Sequence, residues 1–356
     1  MDIEEKIKLV KEVGEEIIDD SELKDVLSKK NLIAYDGFEP SGRIHIAQGI
    51  MRSINVNKMT KAGVKFKMLV ADWHALANDK FGGDMDKIRK CGKYFIEVWK
   101  ACGMDLENVE FVWGTDLIND EDYWLKVMNI ARANTIKRMT RCAQIMGRSE
   151  SDALSAAQIF YPAMQCADIF HLDADICQLG LDQRKVNVLA REVAPKLGFK
   201  KPIVVSHHML MGLTEPDHDA TGTDAAIAKK MSKSNPDSAI FMTDSEEDVN
   251  RKIKKAYCPE KQVKDNPILE YCEYMIFERF DKVLVERPEK FGGNLEFNSY
   301  KELETSFESG SLHPLDLKNT VSKYIIEMIK PVNEYFEKNK DAKKLKEEVE
   351  SFSVTR

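Results

Sequence analysis

The segment Asn31–Gly49 reads NLIAYDGFEPSGRIHIAQG and decides the fold of the chain. Its apolar start, Leu32–Tyr35, predicts a buried β-strand, which cannot continue through Pro40 and Gly42. Isoleucines then recur at helical spacing, so that His45 stands at the start of a helix. The unpaired amide groups and the positive dipole end at a helix start favour a phosphate, and an imidazole beside them can donate a further hydrogen bond. A helix cap or a surface residue is the competing interpretation of His45.

Beyond this segment the chain alternates predicted strands with predicted helices. Val64–Ala71 and Val109–Val112 are predicted as a second and a third strand, and Met85–Cys102 between them as a helix that Gly103 ends. This alternation predicts an α/β fold with a Rossmann-like, doubly wound parallel sheet and right-handed crossovers. Ligands of such sheets bind beyond the carboxyl ends of the strands. The residues at or just past those ends are Tyr35, Gly37, Asp72 and His74, of which His74 is interpreted as a structural histidine.

Further elements are predicted on both sides of this core. The residues before Asn31 carry an apolar stripe from Ile7 to Ile18, which indicates one amphipathic helix. The segment 120–148 predicts a long helical region with one break, and Ile203–Ser206 a final strand.

The predicted helix Ile159–Leu172 carries a polar stripe on an otherwise apolar surface. Tyr161, Gln165 and Asp168 stand at positions i, i+4 and i+7, so they share one face. A solvated face would normally carry lysine and glutamate. A phenol, an amide and a single carboxylate therefore favour the wall of a pocket over a solvated face.

The segment Gly180–Lys185 places an acid and an amide at the start of another helix. Asp182 can accept a hydrogen bond from a ribose hydroxyl, and Gln183 can bind an ammonium group. An ordinary helix cap by Asp182 is the competing interpretation.

The part of the chain beyond Asp244 consists of charged amphipathic helical patterns. We therefore predict a catalytic domain with an N-terminal helix over residues 1–228, a linker loop over 229–243 and a smaller all-α domain over 244–356.

The composition is that of a globular protein, with 43% hydrophobic and 32% charged residues among 356. No apolar run approaches the length of about 18 residues that crosses a membrane, and the acidic N-terminus is unlike a signal peptide. These features predict a cytoplasmic protein with no membrane contact. Seven cysteines without a C-x-x-C pair favour reduced thiols over a disulfide framework or a zinc site. The net charge of −7 is unusual for a nucleic-acid binder, but clustered lysines and arginines permit a bounded RNA footprint.

A second motif, Lys230–Ser234, reads KMSKS and follows a run of small and polar residues. A solvated basic loop is the ordinary interpretation of such a cluster. Together with HIAQG at His45–Gly49, however, it resembles the two signature motifs of class I aminoacyl-tRNA synthetases. The chain departs from the common form of the first motif at Ala47 and Gln48, where glycine and a second histidine are usual. His45 is therefore the firmer assignment.

The resemblance narrows to the tyrosyl-tRNA synthetases of archaeal and eukaryotic type, and it covers nearly the whole chain. It implies that Tyr35 and Asp168 bind the phenol hydroxyl of L-tyrosine. Three residues are implied to bind its α-ammonium group: Tyr161, Gln165 and Gln183. Contacts with ATP are implied for Gly37, Gln48, Gly180, Asp182, Ser232 and Ser234.

The same resemblance implies partners beyond the small substrates. Contacts with tRNA(Tyr) are expected from Arg184 and Lys185. Three residues of the helical domain, Phe291, His313 and Asp316, are expected to meet the first anticodon base. Proteins of this family also pair two subunits through about the segment 120–148, so the resemblance implies a homodimer.

The implied reaction is ATP-dependent activation of L-tyrosine to tyrosyl-adenylate, followed by transfer to tRNA(Tyr). Because the substrate carboxylate attacks the α-phosphorus of ATP, the protein must supply positioning and charge neutralisation rather than a nucleophile. His45 would meet the phosphates, while Lys230 and Lys233 would close on the leaving pyrophosphate, with Mg²⁺ carried by the nucleotide.

Two alternatives remain. A tryptophanyl-tRNA synthetase shares the architecture, but Asp168 opposite Tyr35 favours a phenol over an indole N–H. A noncatalytic synthetase-like paralogue that binds RNA is the other, and the charged residues retained in both motifs disfavour it.

Overall fold

The computed structural model describes residues 1–147, 153–216, 231 and 236–353. Its main sheet has six strands in the order β1-β6-β5-β2-β3-β4. The strands are β1 (Glu16–Ile18), β2 (Ile33–Phe38), β3 (Lys65–Val70), β4 (Val109–Trp113), β5 (Ile176–Cys177) and β6 (Ile203–Ser206).

The strands from β2 to β6 pair in parallel, whereas β1 pairs antiparallel with β6 at one edge. From β2 the chain proceeds outward in one direction through β3 and β4, and later in the other direction through β5 and β6. The predicted Rossmann-like, doubly wound sheet is therefore confirmed. The strand order reverses beside β2, and sheets of this kind bind their ligands at that point.

Side chains along the strands alternate between two hydrophobic cores, one on each face of the sheet. Ala34 and Met68 belong to one core, while their neighbours Tyr35 and Leu69 belong to the other. This alternation follows from the two-residue period of a β-strand. Tyr35 consequently faces the same side of the sheet as the helix that carries Asp168.

The helices of the first part of the chain cover both faces of the sheet. They are α1 (Ile3–Val13), α2 (Asp20–Leu27), α3 (Arg52–Lys61), α4 (Asp72–Ala77), α5 (Met85–Ala101), α6 (Gly114–Ile118), α7 (Glu121–Arg132), α8 (Ile136–Cys142), α9 (Ala156–His171) and α10 (Arg184–Leu197).

One sequence prediction for this part was wrong in detail, and another agrees with the structure. The single helix predicted before Asn31 is α1, then β1, then α2, because Gly14 ends α1 and a side chain there would crowd Ile17. In the segment 120–148 the described residues form α7 and α8 with one break between them, as predicted, and α8 continues directly into a 3₁₀ turn at Ala143–Met146.

The C-terminal part is mainly helical. Its α-helices are α11 (Glu246–Lys255), α12 (Pro267–Tyr271), α13 (Phe277–Arg279), α14 (Tyr300–Ser309), α15 (Pro314–Lys338) and α16 (Lys340–Glu350). An antiparallel pair of short strands, β7 (Val283–Val285) and β8 (Leu295–Phe297), also lies there, so this part is not purely α-helical as predicted. Its apolar residues belong to the same core as one face of the main sheet. The predicted domain limits themselves stay a prediction.

His45 lies directly before a helical segment, as the sequence predicted, but the first turns are a π-helix, Ala47–Met51, that leads into α3. The amides of Gln48 and Gly49 donate to the carbonyl of His45. On its other side, His45 forms an antiparallel bridge with Phe241. The two signature segments of the sequence are thus joined through the residues that follow the second one.

No helix within the described ranges is both long enough and apolar enough to cross a membrane.

Candidate active site

A cavity of about 620 Å³ opens at the carboxyl ends of β2 and its neighbours. Every described residue that the sequence assigned to tyrosine, to ATP or to catalysis lines it. These residues are Tyr35, Gly37, His45, Gln48, Tyr161, Gln165, Asp168, Gly180, Asp182 and Gln183. Positions spread over more than 140 residues of sequence (35 to 183) thus converge, while the role of each residue stays a prediction.

Asp168 lies at the floor of the cavity, where it is 1% exposed. Its Oδ1 accepts a hydrogen bond of 2.9 Å from the hydroxyl of Tyr123 on α7. Its Oδ2 lies 3.1 Å from Nε2 of His74 on α4. Burial alone would lower the pKa of His74, but the carboxylates of Asp168 and Glu39 outweigh it and raise that pKa, which favours the imidazolium beside Asp168. A buried carboxylate requires such partners.

Tyr35 is also 1% exposed and shares the cavity wall with Asp168. Burial, together with the charges of Asp168 and Asp36, raises the pKa of Tyr35 well above its ordinary value. The phenol therefore keeps its proton and can donate a hydrogen bond. Gly37 makes room for it, because a Cβ at that position would lie 3.2 Å from the Tyr35 hydroxyl.

The other two residues of the polar stripe on α9, Tyr161 and Gln165, form hydrogen bonds with side chains of other segments. The Tyr161 hydroxyl donates to Oε1 of Glu39, and the Tyr161 ring packs edge-on against His74 with centroids 4.9 Å apart. Nε2 of Gln165 donates to Oε1 of Gln183 over 3.1 Å, so these two amides form one polar unit. The stripe is a pocket wall, as the sequence predicted, and not a solvated face.

Three functional candidates escaped the sequence interpretation. Glu39 follows the end of β2 directly, so the strand-end rule that selected Tyr35 could have found it. His74 was interpreted as structural, but it lines the cavity beside Asp168. Tyr123 is buried in α7, and no spacing or motif distinguishes it from a core tyrosine. Asp72, in contrast, accepts hydrogen bonds from Thr115 rather than lining the cavity.

The phosphate-binding candidates lie at the mouth of the same cavity. Gln48 stands where a histidine is more usual. Its Oε1 is buried and accepts no hydrogen bond within the described ranges. Met231 lines the cavity and is 4% exposed. The predicted catalytic lysines and ATP-binding serines of the second motif lie outside the described residues: Lys230, Ser232, Lys233 and Ser234.

The tRNA candidates do not line this cavity. Arg184 is paired with Glu16, with its Nε 2.8 Å from Oε2, and Lys185 is the next residue on α10. In the C-terminal part, Phe291 is 61% exposed. Exposed His313 caps α15 with its Nδ1, and Asp316 stands in the first turn of that helix.

The two parts of the anticodon candidate surface are held together by Arg287. Its Nε donates to the carbonyl of Gly293 in the loop of Phe291, and its Nη1 donates to the carbonyl of Ser311, just before His313. The loop of Phe291 and the segment before His313 therefore lie next to each other.

Comparison with known proteins agrees with this geometry. A family model described as tRNA synthetases class I (W and Y) matches residues 27–330. The chain therefore belongs to the class I tRNA synthetases of that family. Within it, the cytoplasmic tyrosine–tRNA ligase 1 of Arabidopsis thaliana is 54% identical over 359 residues, covering 100% of this chain and 90% of that protein. The chain thus groups with the tyrosine–tRNA ligases of archaeal and eukaryotic type.

Solved structures agree. The tyrosyl-tRNA synthetase of Pyrococcus horikoshii, complexed with L-tyrosine, has a TM-score of 0.90 at 39% identity and covers 98% of this chain and 100% of its own. The enzyme of Leishmania major in complex with tyrosinol has a TM-score of 0.90 at 45% identity, but this chain spans only 61% of that longer chain. A tryptophanyl-tRNA synthetase from Aeropyrum pernix is 18% identical with a TM-score of 0.65, which is a likeness of fold alone.

Proposed function

We propose that the cavity of this tyrosine–tRNA ligase activates L-tyrosine with ATP and transfers it to tRNA(Tyr), with the residues assigned below. The observation that carries the proposal is the buried carboxylate of Asp168 beside the protonated phenol of Tyr35 at the cavity floor. A floor with one acceptor and one donor suits a hydroxyl, which both donates and accepts.

The phenol of the substrate lies against Tyr35 and Asp168 in this proposal. Asp168 accepts from the substrate hydroxyl, while Tyr123 and His74 hold the carboxylate in place. An indole would offer only a donor, and it would leave the Tyr35 hydroxyl without an acceptor. Tyrosine is therefore favoured over tryptophan by the chemistry of the floor.

The α-ammonium of the substrate lies against the polar unit higher on α9. Tyr161, Gln165 and Gln183 supply oxygen atoms, and Glu39 adds a negative charge directly behind Tyr161. A carboxylate near a cation strengthens the hydrogen bonds that the cation makes. We therefore add Glu39 to the residues that bind the amino acid.

The nucleotide occupies the mouth of the cavity near His45, where Gly37, Gln48, Gly180 and Asp182 converge. His45 donates to the phosphates, and Lys230 and Lys233 neutralise the pyrophosphate as it leaves. Mg²⁺ accompanies the nucleotide phosphates and neutralises part of their charge. Within the described ranges, no group of three His, Cys, Asp or Glu side chains offers it a ligand set.

The second substrate, tRNA(Tyr), contacts Arg184 and Lys185 near the cavity, and Phe291, His313 and Asp316 at the anticodon. Exposed aromatic and imidazole rings such as Phe291 and His313 suit the stacking of an unpaired RNA base. We also place the enzyme in the cytoplasm, as the name of the Arabidopsis relative suggests.

The enzyme is proposed to be a homodimer that pairs through α7 and α8. Large apolar side chains are exposed there at Leu125 (58%), Met128 (55%) and Ile136 (72%). Such a patch is typical of a protein interface. In sedimentation velocity, Ile136→Glu should shift the protein to monomer, whereas an unchanged mass would reject this interface.

The reaction is tested by ATP–pyrophosphate exchange measured with each of the twenty amino acids. Only tyrosine should support rapid exchange. Exchange with tryptophan instead, or with none, would reject the proposal.

The loop lysines are tested in the same assay. Lys230→Ala and Lys233→Ala should lower kcat with little change in tyrosine affinity, because these lysines act where charge develops in the transition state. An equal loss of tyrosine binding would show that the loop is structural instead.

A further inference from the structure

His207 is the residue directly after β6, and its backbone is fixed beside Gly180. Its amide donates to the carbonyl of Leu179 over 2.9 Å, and its carbonyl accepts from the amide of Leu181 over 3.1 Å. The ring lines the cavity together with Gly180 and Asp182. Neither the sequence interpretation nor the proposed function assigns this residue a role.

Two donors face Nδ1 of the His207 ring. Nη1 of Arg52 lies 3.2 Å away, and Nε2 of Gln178 lies 3.1 Å away. A guanidinium has only donors. The Gln178 nitrogen also lies 3.4 Å from the carbonyl of Val205, which supports its assignment as the donor atom of that amide.

Arg52 is itself held in place. It is 1% exposed, its Nη1 donates to Oδ2 of Asp36 over 2.7 Å, and its guanidinium lies over the ring of Phe66. The chain therefore keeps a buried cation beside His207. Burial, together with the charges of Arg52 and His208, lowers the pKa of His207 well below its ordinary value, so the ring stays neutral.

A neutral imidazole whose Nδ1 accepts must carry its proton on Nε2. That Nε2 lies near Gly180, since a Cβ built on Gly180 would be 3.5 Å from it and 2.6 Å from Oδ1 of Asp182. Sδ of Met209 would lie 2.7 Å from the same Cβ, so this side chain also packs over Gly180. The His207 N–H donor and the Asp182 carboxylate acceptor thus both lie beside Gly180 in the lining of the cavity.

We infer that His207 donates a hydrogen bond from Nε2 to a ribose hydroxyl of the nucleotide, and that Arg52 and Gln178 are positioning residues that hold its tautomer. A sugar hydroxyl both accepts and donates, so it matches the pair formed by His207 and Asp182. This inference rests on the proposed binding of ATP in the same cavity.

The first test compares ATP with 2′-deoxy-ATP and 3′-deoxy-ATP in pyrophosphate exchange by wild type and His207→Asn. The variant should raise KM for ATP about tenfold, the order of one hydrogen bond, and leave KM for tyrosine unchanged. With the deoxynucleotide that lacks the contacted hydroxyl, wild type and variant should differ little. An equal loss with all three nucleotides would overturn the ribose contact.

The matched variant is His207→Gln, whose longer amide can place an N–H near the position of Nε2. It should recover part of the discrimination between ATP and the deoxynucleotide. Failure of Gln to differ from Asn would indicate that His207 acts only through packing.

The second test reads the tautomer without any substrate, so it remains informative even if the enzyme does not use ATP as proposed. In nitrogen-15 spectra of the imidazoles, His207 should be the neutral Nε2–H form between about pH 6 and 8. A protonated ring, or an Nδ1–H form, at pH 7 would overturn the inference.

The role of Arg52 is tested with the paired variant Asp36→Asn/Arg52→Met, which leaves no unpaired buried charge. The groups that face His207 are then His208 and Asp182. Without the guanidinium, the pKa of His207 should move toward its ordinary value of about 6.5. The ring would then protonate at mildly acidic pH, and the rate of pyrophosphate exchange should fall there. If the titration of His207 is the same in this variant as in wild type, Arg52 does not hold the ring in its neutral form.

Discussion

The hydroxyl of Tyr123 on α7 donates a hydrogen bond of 2.9 Å to Oδ1 of Asp168 on α9. The carboxylate that is proposed to select the substrate is therefore held by another tyrosine of the chain. Both residues are buried, and His74 approaches the second carboxylate oxygen. The floor of the cavity is thus held by contacts between the protein's own side chains.

Tyr123→Phe removes this hydrogen bond while it keeps the ring. Losing one such bond costs about 1 kcal/mol, so kcat/KM for tyrosine should fall about fivefold in pyrophosphate exchange. The control is Tyr271→Phe, which removes an equally buried bond to the carbonyl of Met211 outside the cavity lining. A similar kinetic loss in both variants would show that Tyr123 only supports the fold.

Asp168→Ala should have a far larger effect. It removes the acceptor for the substrate hydroxyl, so tyrosine activation should collapse. The ratio of kcat/KM for tyrosine over phenylalanine should narrow by at least about two orders of magnitude, or roughly 2.7 kcal/mol. A variant that still prefers tyrosine by nearly the wild-type factor would show that Asp168 does not face the phenol.

Gly49→Ala should disturb the contact between the first signature segment and the residues that follow the second one. A Cβ at Gly49 would lie 2.6 Å from Cγ of Met242, and Met242 donates its amide to the carbonyl of Ile44. Overpacking of this kind costs about 1–3 kcal/mol. Gly49→Ala should therefore lower the free energy of unfolding and slow exchange. The double variant Gly49→Ala/Met242→Ala should recover part of the rate, and no recovery would contradict the contact as the cause.

Asp316→Ala should impair charging of tRNA while pyrophosphate exchange stays intact, because base contacts specify the RNA away from the cavity. The matched control is Asp341→Ala, since Asp341 also stands in the first turn of a C-terminal helix. Both changes lose a favourable interaction with a helix dipole, of about 0.5 kcal/mol. Only Asp316→Ala should lower charging, and a parallel fall in exchange would mean that Asp316 supports the fold.

His208 should make the free energy of unfolding depend on pH in the alkaline range. Burial by itself lowers the pKa of His208, but its contacts with Glu15 at 3.0 Å and Glu270 at 3.1 Å outweigh this and raise the pKa to about 9. Its contribution is complete below the unfolded pKa of about 6.5 and is lost as pH rises through about 9. In urea unfolding, the stability difference between wild type and His208→Gln should shrink over that window. A constant difference would contradict the ion pairs.

Local periodicity was a sound guide to the sheet. The runs around Ala34, Met68 and Phe111 became the parallel strands β2, β3 and β4, because short apolar stretches bounded by turn residues favour strands. β3 is mostly buried, whereas β4 lies at the edge of the sheet and is partly exposed. Elements without their own pattern were missed. Strand β5 has only two residues, and β1 takes its conformation from pairing with Ser206 and its neighbours in β6.

The sequence by itself determined which residues have the chemistry for this site, since the stripe of Tyr161, Gln165 and Asp168 and the helix start at His45 follow from spacing along one element. Tertiary structure alone decided their partners. Tyr123 reaches Asp168, and Arg52 reaches His207, across 45 and 155 residues of chain. No period along a helix or strand records such contacts, because they depend on how separate elements pack, and burial then fixes which groups stay charged.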